Sequence, residues 1–524
     1  MQIPANPDYL IVGAGSSGAV LAGRLSENPA TTMLLLEAGP AIWSDEAPAH
    51  LRSLNPQPIQ SLADYAHYRW PDLRAQRSAA QELRPYLRGR GLGGSSAING
   101  LVAIRGEPGD FDAWAALGCT GWSWDDVLPA FRRLERDLDF GDAPYHGDAG
   151  PIPLSRTPLA EWGAVDLAVR AAALDLGYGW ASDHNAPEST GVSPFAYTGR
   201  DGRRVSTADA YLEPARPRPN LTILGDAHVD RVLFAGRRAV GVRVRVDGEW
   251  REVRAREVIL SAGAIHSPAI LQRSGIGPAA LLRELGILVV HAAPVGVNIV
   301  DHAIVWLDLH LRPEYRARST EVRHEDCCVR YSSELAGAGR NDMIVLCTNF
   351  TGPDARGHAT GFVGVAAFQT FSRGRLRIAS PDPLTDPEVH LNMLADERDR
   401  IRLRDGAQRL FAIGRHPALG GIAEAITLGG TGALPESIAT HAALDAWLDA
   451  TVADTYHPCG TCRMGAADDP RVVVDPTCRV NGVDNLRVID ASIMPTIPRA
   501  NLHLACVMIG EQMATRLRGE AQAR

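Results

Sequence analysis

The sequence predicts an α/β protein in which a domain built on a parallel sheet is interleaved with an α+β domain that carries an antiparallel sheet. Three regions predict this fold. A strand–loop–helix–strand unit opens the chain at residues 8–36, short alternating strands occupy 221–261, and strands mix with helices over 300–450. A β-α-β unit builds a parallel sheet through a right-handed crossover. No repeat or long linker separates the regions, so we expect the chain to cross between the two domains more than once.

The opening unit has the pattern of a Rossmann-like dinucleotide site. An apolar run at 8–12 predicts a buried strand, a helix-compatible stretch follows, and residues 31–36 predict a second strand that Glu37 closes. A G-x-G-x-x-G pattern between strand and helix lets a pyrophosphate approach the helix N-terminus, and an acidic residue about 20 positions on accepts hydrogen bonds from a ribose. The pattern does not distinguish NAD from FAD. Its glycines are Gly13, Gly15 and Gly18.

A second glycine-rich segment follows at residues 89–100, with the sequence GRGLGGSSAING. Pro85, just upstream, argues against a central strand here. The glycines and serines suit a backbone nest that binds phosphate or a flat ring. A flexible loop is the alternative interpretation.

The later elements complete the prediction. Residues 221–261 alternate in polarity and predict short antiparallel strands beside the first sheet. The stretch from 300 to 450 predicts strands at 305–311 and 375–379 and helices at 396–415 and 441–452.

Composition excludes several function classes. The formal charge is -8, and no segment concentrates basic side chains, so nucleic acid is an unexpected partner. The sequence contains no lysine, which excludes Schiff-base chemistry on a lysine. No apolar run is long enough to span a bilayer, and we expect no secretory signal at the N-terminus. Eight cysteines in so long a chain favour free thiols and a cytoplasmic protein.

Four long motifs, taken together, resemble the glucose-methanol-choline (GMC) family of flavoprotein oxidoreductases. They are the opening glycine loop, GRGLGGSSAING at 89–100, GAIHSPAILQRSGIG at 263–277, and a C-terminal block with YHPCGTCRMG at 456–465, DASIMP at 490–495 and RANLH at 499–503. The resemblance covers the chain from Tyr9 to about Ala514 and looks most like the bacterial choline dehydrogenase and 5-hydroxymethylfurfural oxidase branch.

The resemblance implies FAD as the cofactor. Relatives that attach FAD covalently through the second loop have a histidine where this chain has Ile98, so the resemblance favours non-covalent FAD. It also implies a discontinuous FAD-binding domain (1–155, 215–300 and 455–524) and a substrate-binding domain (156–214 and 301–454). The cofactor residues that it implies are Gly13, Gly15, Ser16, Ser17, Gly18, Glu37, Ala38, Trp70, Arg90, Leu92, Gly94, Ser95, Asn99, Gly100, Leu101, Val229, Tyr456, Asp490, Ala491 and Leu504.

Two histidines are the implied catalytic residues. Hydride transfer from an alcohol needs a base for the hydroxyl proton, and histidine suits this near neutral pH. His457 lies where the family has its base. His503 is expected to bind the substrate oxygen and to stabilise the developing alkoxide, as an oxyanion donor does. The predicted reaction is oxidation of an alcohol, a neutral primary or aryl alcohol by preference, with O2 or another acceptor reoxidising the flavin.

Other interpretations compete with this one. The same family fold resembles hydroxynitrile lyases, so cyanohydrin cleavage is the main alternative; light-driven fatty-acid decarboxylation and a non-enzymatic flavin-binding protein are weaker ones. Cys459 and Cys462 form a C-x-x-C without a second ligand pair, so no metal site is predicted. Asp301 and His302 are interpreted as a structural turn. The oligomeric state is left open.

Overall fold

The computed structural model describes residues 3–319 and 321–522. A five-stranded parallel sheet forms the first layer of the fold. Tyr9–Val12 lies at its centre, because it pairs in parallel with the second predicted strand on one side and with Glu257–Leu260 on the other. The strand order across the sheet is Leu221–Leu224, Met33–Leu36, Tyr9–Val12, Glu257–Leu260 and Leu486–Val488.

The central strands of this sheet are apolar, as is general for parallel strands that are covered on both faces. All four residues of Tyr9–Val12 and of Met33–Leu36 are buried. Helix Gly18–Leu25 follows the glycine loop and packs against the long C-terminal helix Leu502–Gln522. The beginning and the end of the chain therefore build one layer together.

A seven-stranded antiparallel sheet forms the second layer. Its longest member, Ala303–Leu311, pairs with Thr360–Ala367 on one side and with Ala423–Leu428 on the other. Helices Glu397–Gly414 and His441–Thr451 pack on this part of the chain, close to their predicted bounds. The strands are Gly191–Pro194, Ala303–Leu311, Cys327–Tyr331, Met343–Thr348, Thr360–Ala367, Ala423–Leu428 and Ala453–Asp454.

The predicted α/β class with a parallel and an antiparallel sheet is confirmed. One detail is wrong: residues 221–261 are not all antiparallel. Leu221–Leu224 and Glu257–Leu260 join the parallel sheet, and only the three strands between them form an antiparallel unit. The reason is that short, mainly apolar strands lack a clear alternation of polar and apolar residues, so their sequence does not distinguish parallel from antiparallel pairing. The three strands are His228–Ala235, Arg238–Val246 and Glu249–Arg254.

Smaller elements complete the described chain. Further strands form two four-stranded sheets and a two-stranded one: Arg74–Gln76, Arg84–Pro85, Arg375–Arg377 and Glu388–His390; Glu135–Asp137, Ile152–Arg156, Ala196–Arg200 and Arg203–Arg204; Ile276–Gly277 and His291–Ala292. The other α-helices are Ala49–Arg52, Gln57–Ser61, Pro108–Ala116, Trp124–Leu134, Ala164–Asp175, Gly263–Arg273, Ala279–Glu284, Ala355–His358 and Pro417–Ile422. Short helical turns occur at Ala63–Tyr68, Gly94–Ala97, Leu159–Glu161, Ala208–Leu212, Pro313–Tyr315, Pro435–Ser437 and Ala491–Ile493. In the part of the chain that the structure describes, no helix combines the length and the apolar character needed to cross a bilayer.

Candidate active site

A cavity of about 660 Å³ lies between the two sheets. Val12 and Leu36 of the parallel sheet line one end of the cavity, and Ile304, Leu346 and Phe362 of the antiparallel sheet line the other. Because both sheets contribute walls, a ligand in this cavity contacts the two layers at once.

The first glycine loop closes one end of the cavity, and its shape requires glycine. Gly13 has a φ of +100°, and a Cβ added there would lie 2.5 Å from the Ser261 carbonyl oxygen. At Gly18 an added Cβ would lie 1.9 Å from the Gly13 carbonyl oxygen. The loop therefore passes closely over the start of helix Gly18–Leu25. This geometry presents backbone N–H groups and the positive end of the helix to a bound phosphate.

Glu37 joins the two glycine-rich loops. Its carboxylate accepts hydrogen bonds of 2.9 Å from the backbone N–H groups of Ala14, Gly39 and Gly91. Burial raises the pKa of Glu37, and the three N–H donors act in the opposite direction. Glu37 thus holds the second loop against the first and also faces the cavity.

The second loop is folded against the first and not extended as a free loop. Gly93 and Gly94 adopt left-handed conformations with φ of +82° and +53°. A Cβ at Gly94 would lie 2.8 Å from Cα of Gly15, so the two loops are in direct backbone contact. The Ser95 hydroxyl accepts a hydrogen bond of 3.1 Å from the N–H of Gly89. This arrangement favours the nest over the flexible-loop interpretation.

Most predicted site residues meet at this cavity. Four of the predicted cofactor residues do not line it: Gly18, Arg90, Leu92 and Leu504. Of these, Arg90 lies behind the wall, where its guanidinium stacks 5.4 Å from the ring of Trp70 and donates to the Ala38 carbonyl. The predicted residues that do line the cavity are Gly13, Gly15, Ser16, Ser17, Glu37, Ala38, Trp70, Gly94, Ser95, Asn99, Gly100, Leu101, Val229, Tyr456, His457, Asp490, Ala491 and His503.

His457 lies in the cavity wall with both ring nitrogens engaged. Its Nε2 accepts a hydrogen bond of 3.3 Å from Nδ2 of Asn501. Its Nδ1 lies 2.7 Å from the Thr455 hydroxyl and 3.0 Å from Nδ1 of His302. Burial lowers the pKa of His457 well below its usual value, and His302 and Arg88 lower it further. The imidazole is therefore neutral at physiological pH.

His302 contacts His457 at the same nitrogen as Thr455. The His302 ring stacks on Phe368 at a centroid distance of 4.5 Å, and burial lowers its pKa to about 3. An amide N–H only donates, so the contact with Nδ2 of Asn501 makes Nε2 of His457 an acceptor and places the His457 proton on Nδ1. That Nδ1–H can donate to the Thr455 hydroxyl or to Nδ1 of His302. Interpreting His302 as only part of a structural turn is therefore incomplete.

Asp301 fixes the backbone on both sides of this histidine pair. Its carboxylate accepts hydrogen bonds from the backbone N–H groups of His302, at 2.8 Å, and His457, at 2.9 Å. The Tyr86 hydroxyl donates to the same carboxylate at 2.6 Å. Burial and the neighbouring Asp454 raise the pKa of Asp301 to about 7. Asp301 thus joins two segments that lie 156 positions apart in the chain.

Asn501 hydrogen-bonds His457, and His503 contacts the first glycine loop. Nδ1 of His503 lies 3.3 Å from the Ser16 hydroxyl, so this imidazole belongs to the glycine-loop end of the cavity. Its Nε2 is buried without a hydrogen-bond partner among the described residues, and burial lowers its pKa to about 4. Asn501 also has a buried oxygen, Oδ1, with no partner in the described chain. Asn501 lies within the RANLH motif but was not predicted as a site residue.

Two further features of the wall were not predicted. Arg88 faces the cavity, stacked 4.8 Å from the ring of Tyr86 and 5.9 Å from that of Tyr456, and it lies close enough to His457 to lower its pKa. Tyr456 itself has a φ of +63°, a left-handed conformation in which a non-glycine residue is strained. Such strain is common beside catalytic groups, and it is a signal that only the backbone provides.

Among the described residues, no cysteine belongs to a group with metal-binding spacing. Cys459 and Cys462 are buried free thiols. The one group with suitable spacing in the described chain is Glu135, Asp137 and His146. These side chains already form ion pairs with Arg105 and Arg156, which supply the positive charge that a cation would bring.

A glycine-loop nucleotide site that leads to a buried, neutral histidine defines the class of dinucleotide-dependent oxidoreductases. Comparison with known proteins then gives the family. The chain matches the N-terminal part of the GMC oxidoreductase family model over residues 7–304 and the C-terminal part over residues 370–510. The protein belongs to the GMC oxidoreductase family.

Individual relatives agree with this assignment over nearly the whole chain. The 5-(hydroxymethyl)furfural oxidase of Methylovorus sp. (strain MP688) is 38% identical, over 97% of this chain and 98% of the relative. An oxygen-dependent choline dehydrogenase of Stenotrophomonas maltophilia (strain K279a) is 36% identical, over 98% of this chain and 95% of the relative. The crystal structure of pyridoxine 4-oxidase from Mesorbium loti superposes with a TM-score of 0.88 at 33% identity, covering 98% and 99% of the two chains. The predicted family, branch and enzyme class are confirmed.

The cavity fits FAD, the cofactor of this family. Gly13, Gly15 and Gly94 line the cavity at the two loops, where backbone N–H groups can meet a pyrophosphate, and Nε2 of His503, which has no partner among the described residues, belongs to the same cavity. The predicted cofactor is thus confirmed at the level of the family, and the chain is an FAD-dependent oxidoreductase.

Proposed function

We propose that the protein oxidises an alcohol to an aldehyde or ketone, with Nε2 of His457 as the base that accepts the hydroxyl proton. The observation that carries this proposal is the pair of His457 Nε2 and Asn501 Nδ2, 3.3 Å apart in the cavity wall. One member of the pair accepts a proton and the other donates a hydrogen bond, which is what an alcohol needs as it becomes an alkoxide.

The chain's own groups control where the proton goes. The substrate hydroxyl donates to Nε2 of His457 while its oxygen accepts from Nδ2 of Asn501. As Nε2 takes the proton, the imidazolium stays hydrogen-bonded at Nδ1 to Thr455 and His302. Asn501 then stabilises the alkoxide, and it takes the role that the sequence analysis gave to His503. FAD, when bound, supplies the acceptor for the carbinol hydride.

The cofactor would lie along the wall from Glu37 to His503. The glycine loops hold its pyrophosphate, Glu37 meets its ribose, and His503 with Ser16 contacts it between that end and the catalytic pair. Ile98 is 3% exposed and has no side-chain nucleophile, which supports non-covalent binding. Acid precipitation of the purified protein would then release all of the flavin into the supernatant, whereas flavin that stays with the pellet would contradict this part of the proposal.

Redox chemistry is favoured over the lyase alternative. The relatives described above are oxidases and dehydrogenases by name. Their substrates, a furanic alcohol, choline and pyridoxine, all carry an alcohol group, and we propose a primary alcohol for this chain as well. O2 and another electron acceptor both stay open as the oxidant, and a cytoplasmic location stays a prediction.

The first test is anaerobic mixing of the holoenzyme with primary, benzylic and furanic alcohols and with choline, while the visible absorbance of oxidised flavin is followed. Bleaching by an alcohol is the expected result, and admission of air then separates a fast-recolouring oxidase from a dehydrogenase. If dithionite bleaches the flavin and no alcohol does, the proposal fails and cyanohydrin cleavage becomes the next assay.

The second test is His457→Ala. We expect flavin reduction by the alcohol to slow by about 10²- to 10⁴-fold, the usual contribution of a general base, while the bound flavin content stays unchanged. A near-normal reduction rate in this variant would remove His457 from the role of base.

A further inference from the structure

One face of the antiparallel sheet forms the cavity wall beyond His457. Strand Ala303–Leu311 alternates, so Ile304, Trp306 and Asp308 point into the cavity together. The strand begins next to His302, which contacts the catalytic histidine, and Asp308 lies six positions further on. Six residues of extended chain span about 20 Å, so the strand leads from the catalytic end of the cavity to a polar end.

The middle of this wall is apolar and flat. The rings of Trp306 and Phe362 stack at a centroid distance of 6.0 Å with 25° between their planes. Gly364 pairs with Trp306 in the sheet, and a Cβ at Gly364 would lie 2.6 Å from the Phe362 ring. Glycine at this position leaves the aromatic rings exposed to the cavity, which suits the apolar or aromatic body of a substrate.

The far end of the wall carries polar groups in one row across the sheet. Asp308, Phe362 and Thr348 are direct partners on three neighbouring strands. The Thr348 hydroxyl is buried and has no hydrogen-bond partner in the described part of the chain. Asp308 accepts a hydrogen bond of 3.0 Å from the Trp306 indole N–H, and burial raises its pKa. The backbone N–H of Gly430 also donates to this carboxylate, whose remaining lone pairs can accept from a ligand in the cavity.

Glu325 faces the same region from the adjoining segment. Its side chain is 12% exposed and lines the cavity, and one oxygen lies 2.7 Å from where a Cβ at Gly100 would stand. No hydrogen bond to its carboxylate occurs within residues 3–319 and 321–522. The His324 ring, 3.9 Å away, is neutral because burial lowers its pKa to about 3, and the cation that acts on Glu325 is Arg323. Burial raises the pKa of Glu325 to about 7. The backbone N–H of Asn349 donates to the His324 carbonyl at 2.8 Å, which places this segment beside Thr348.

Buried polar groups without partners carry a cost that a bound ligand can remove. Two carboxyl groups and a hydroxyl are all able to accept hydrogen bonds, and both carboxyl groups repel an anion when ionised. The cavity therefore fits a molecule that is apolar in the middle, bears its carbinol at one end and bears a hydrogen-bond donor at the other.

We propose that the substrate is an alcohol with a second, hydrogen-bond-donating group, hydroxyl or ammonium, which Asp308, Thr348 and Glu325 recognise across an aromatic body held on Trp306 and Phe362. This inference rests on the proposed alcohol oxidation and adds the class of alcohol. It also predicts that a carboxylate in place of the second donor is excluded.

Four 4′-substituted biphenyl-4-methanols, whose two rings in line reach further along the wall than a single ring, test the proposal on the holoenzyme by anaerobic flavin reduction. They carry hydroxymethyl, aminomethyl, methyl or carboxylate groups opposite the carbinol. We expect half-saturating concentrations about tenfold or more lower for the first two than for the methyl compound, since one satisfied buried acceptor is worth about that factor. The carboxylate compound should reduce the flavin least at any given concentration.

Three variants locate the effect: Asp308→Asn, Thr348→Val and Glu325→Gln. Each should raise the half-saturating concentration of the donor-bearing alcohols toward that of the methyl compound, while the limiting rate of flavin reduction changes little. Asp201→Asn serves as the matched control, because Asp201 is an exposed carboxylate outside the cavity.

The outcomes separate the two proposals. If all four alcohols reduce the flavin with the same half-saturating concentration, the alcohol oxidation stands and the second-group recognition is overturned. If none of them reduces a flavin that dithionite does reduce, the proposed oxidation itself fails. Equal effects of the Asp201→Asn control and the three cavity variants would also overturn the recognition proposal.

Discussion

At the scale of single residues, burial decides what each histidine of the cavity can do. His302, His457 and His503 all have pKa values lowered by burial, so each is neutral at physiological pH. A neutral imidazole is either a donor or an acceptor at each nitrogen, and its partners fix which. The contact with Nδ2 of Asn501 makes Nε2 of His457 the acceptor, which is the form that a base needs.

The first prediction distinguishes Asn501 from His503. Asn501→Ala should lower the limiting rate of flavin reduction by about 10²- to 10³-fold, the cost of removing one donor to a developing oxyanion, and leave FAD binding unchanged. His503→Ala should instead weaken FAD binding, because His503 contacts Ser16 of the glycine loop. Stopped-flow reduction and FAD titration of the apoprotein measure the two effects. The reverse pattern would restore the role of second catalytic residue to His503.

At the scale of elements, the loop–helix junction at Gly18 has no room for a side chain. The second prediction is that Gly18→Ala abolishes FAD binding or folding, since its Cβ would lie 1.9 Å from the Gly13 carbonyl oxygen. Gly420→Ala is the control: nothing lies within 4 Å of a Cβ at this glycine in a helix, so alanine there should stabilise the protein by up to about 1 kcal/mol. Flavin content and thermal unfolding measure both variants. A Gly18→Ala protein that retains its FAD would show that the loop is not as close as described.

A second element-scale feature is the charge network around strand Glu135–Asp137. His146 hydrogen-bonds Glu135 at 2.6 Å through Nδ1 and Asp183 at 2.9 Å through Nε2. Burial lowers the pKa of His146, but these two carboxylates outweigh it and the net shift is upward. Arg105 and Arg156 pair with the same carboxylates, so a protonated His146 balances the charge.

The third prediction follows from this shift. Folding raises the pKa of this histidine above its unfolded value of about 6.5, so the protonated ring stabilises the folded protein. This stabilisation is complete below the unfolded pKa and is lost as the pH rises through the higher folded pKa. The free energy of unfolding should therefore fall across that range. His146→Gln should remove this pH dependence and destabilise the protein by about 3 kcal/mol or more, because it leaves buried carboxylates uncompensated. Urea unfolding at several pH values measures it, with the exposed His441→Gln as control; an unchanged pH slope in His146→Gln would contradict the assignment.

At the scale of the whole molecule, the sequence predicts what depends on local pattern. The β-α-β unit and the glycine loops follow from spacing along a few tens of residues, and the choice of His457 follows from the resemblance to the family's motif. What it missed depends on contacts between distant segments or on the direction of a side chain. His302 meets His457 across 155 positions. Asn501, just before helix Leu502–Gln522, and His503, inside it, make different contacts in the cavity wall. Motif matching alone does not show which of two such side chains faces the base.

The chain crosses between the sheets repeatedly, and this organisation carries the last prediction. Trp114 and Trp122 lie in the core around the parallel sheet, and Trp162 and Trp447 lie in the core under the antiparallel sheet. Both sheets line the cavity, so FAD should stabilise both cores together.

We therefore expect apoprotein and holoprotein each to melt in one transition, with FAD at 100 times its Kd adding about 2.7 kcal/mol to the free energy of unfolding. Tryptophan fluorescence and far-ultraviolet circular dichroism should give the same midpoint. Trp447→Phe removes a reporter from the core under the antiparallel sheet, and the fluorescence midpoint should stay the same because the remaining tryptophans report the same transition. Two transitions, of which FAD raises only one, would show that the cores unfold separately and that the cofactor is held by the parallel-sheet layer alone.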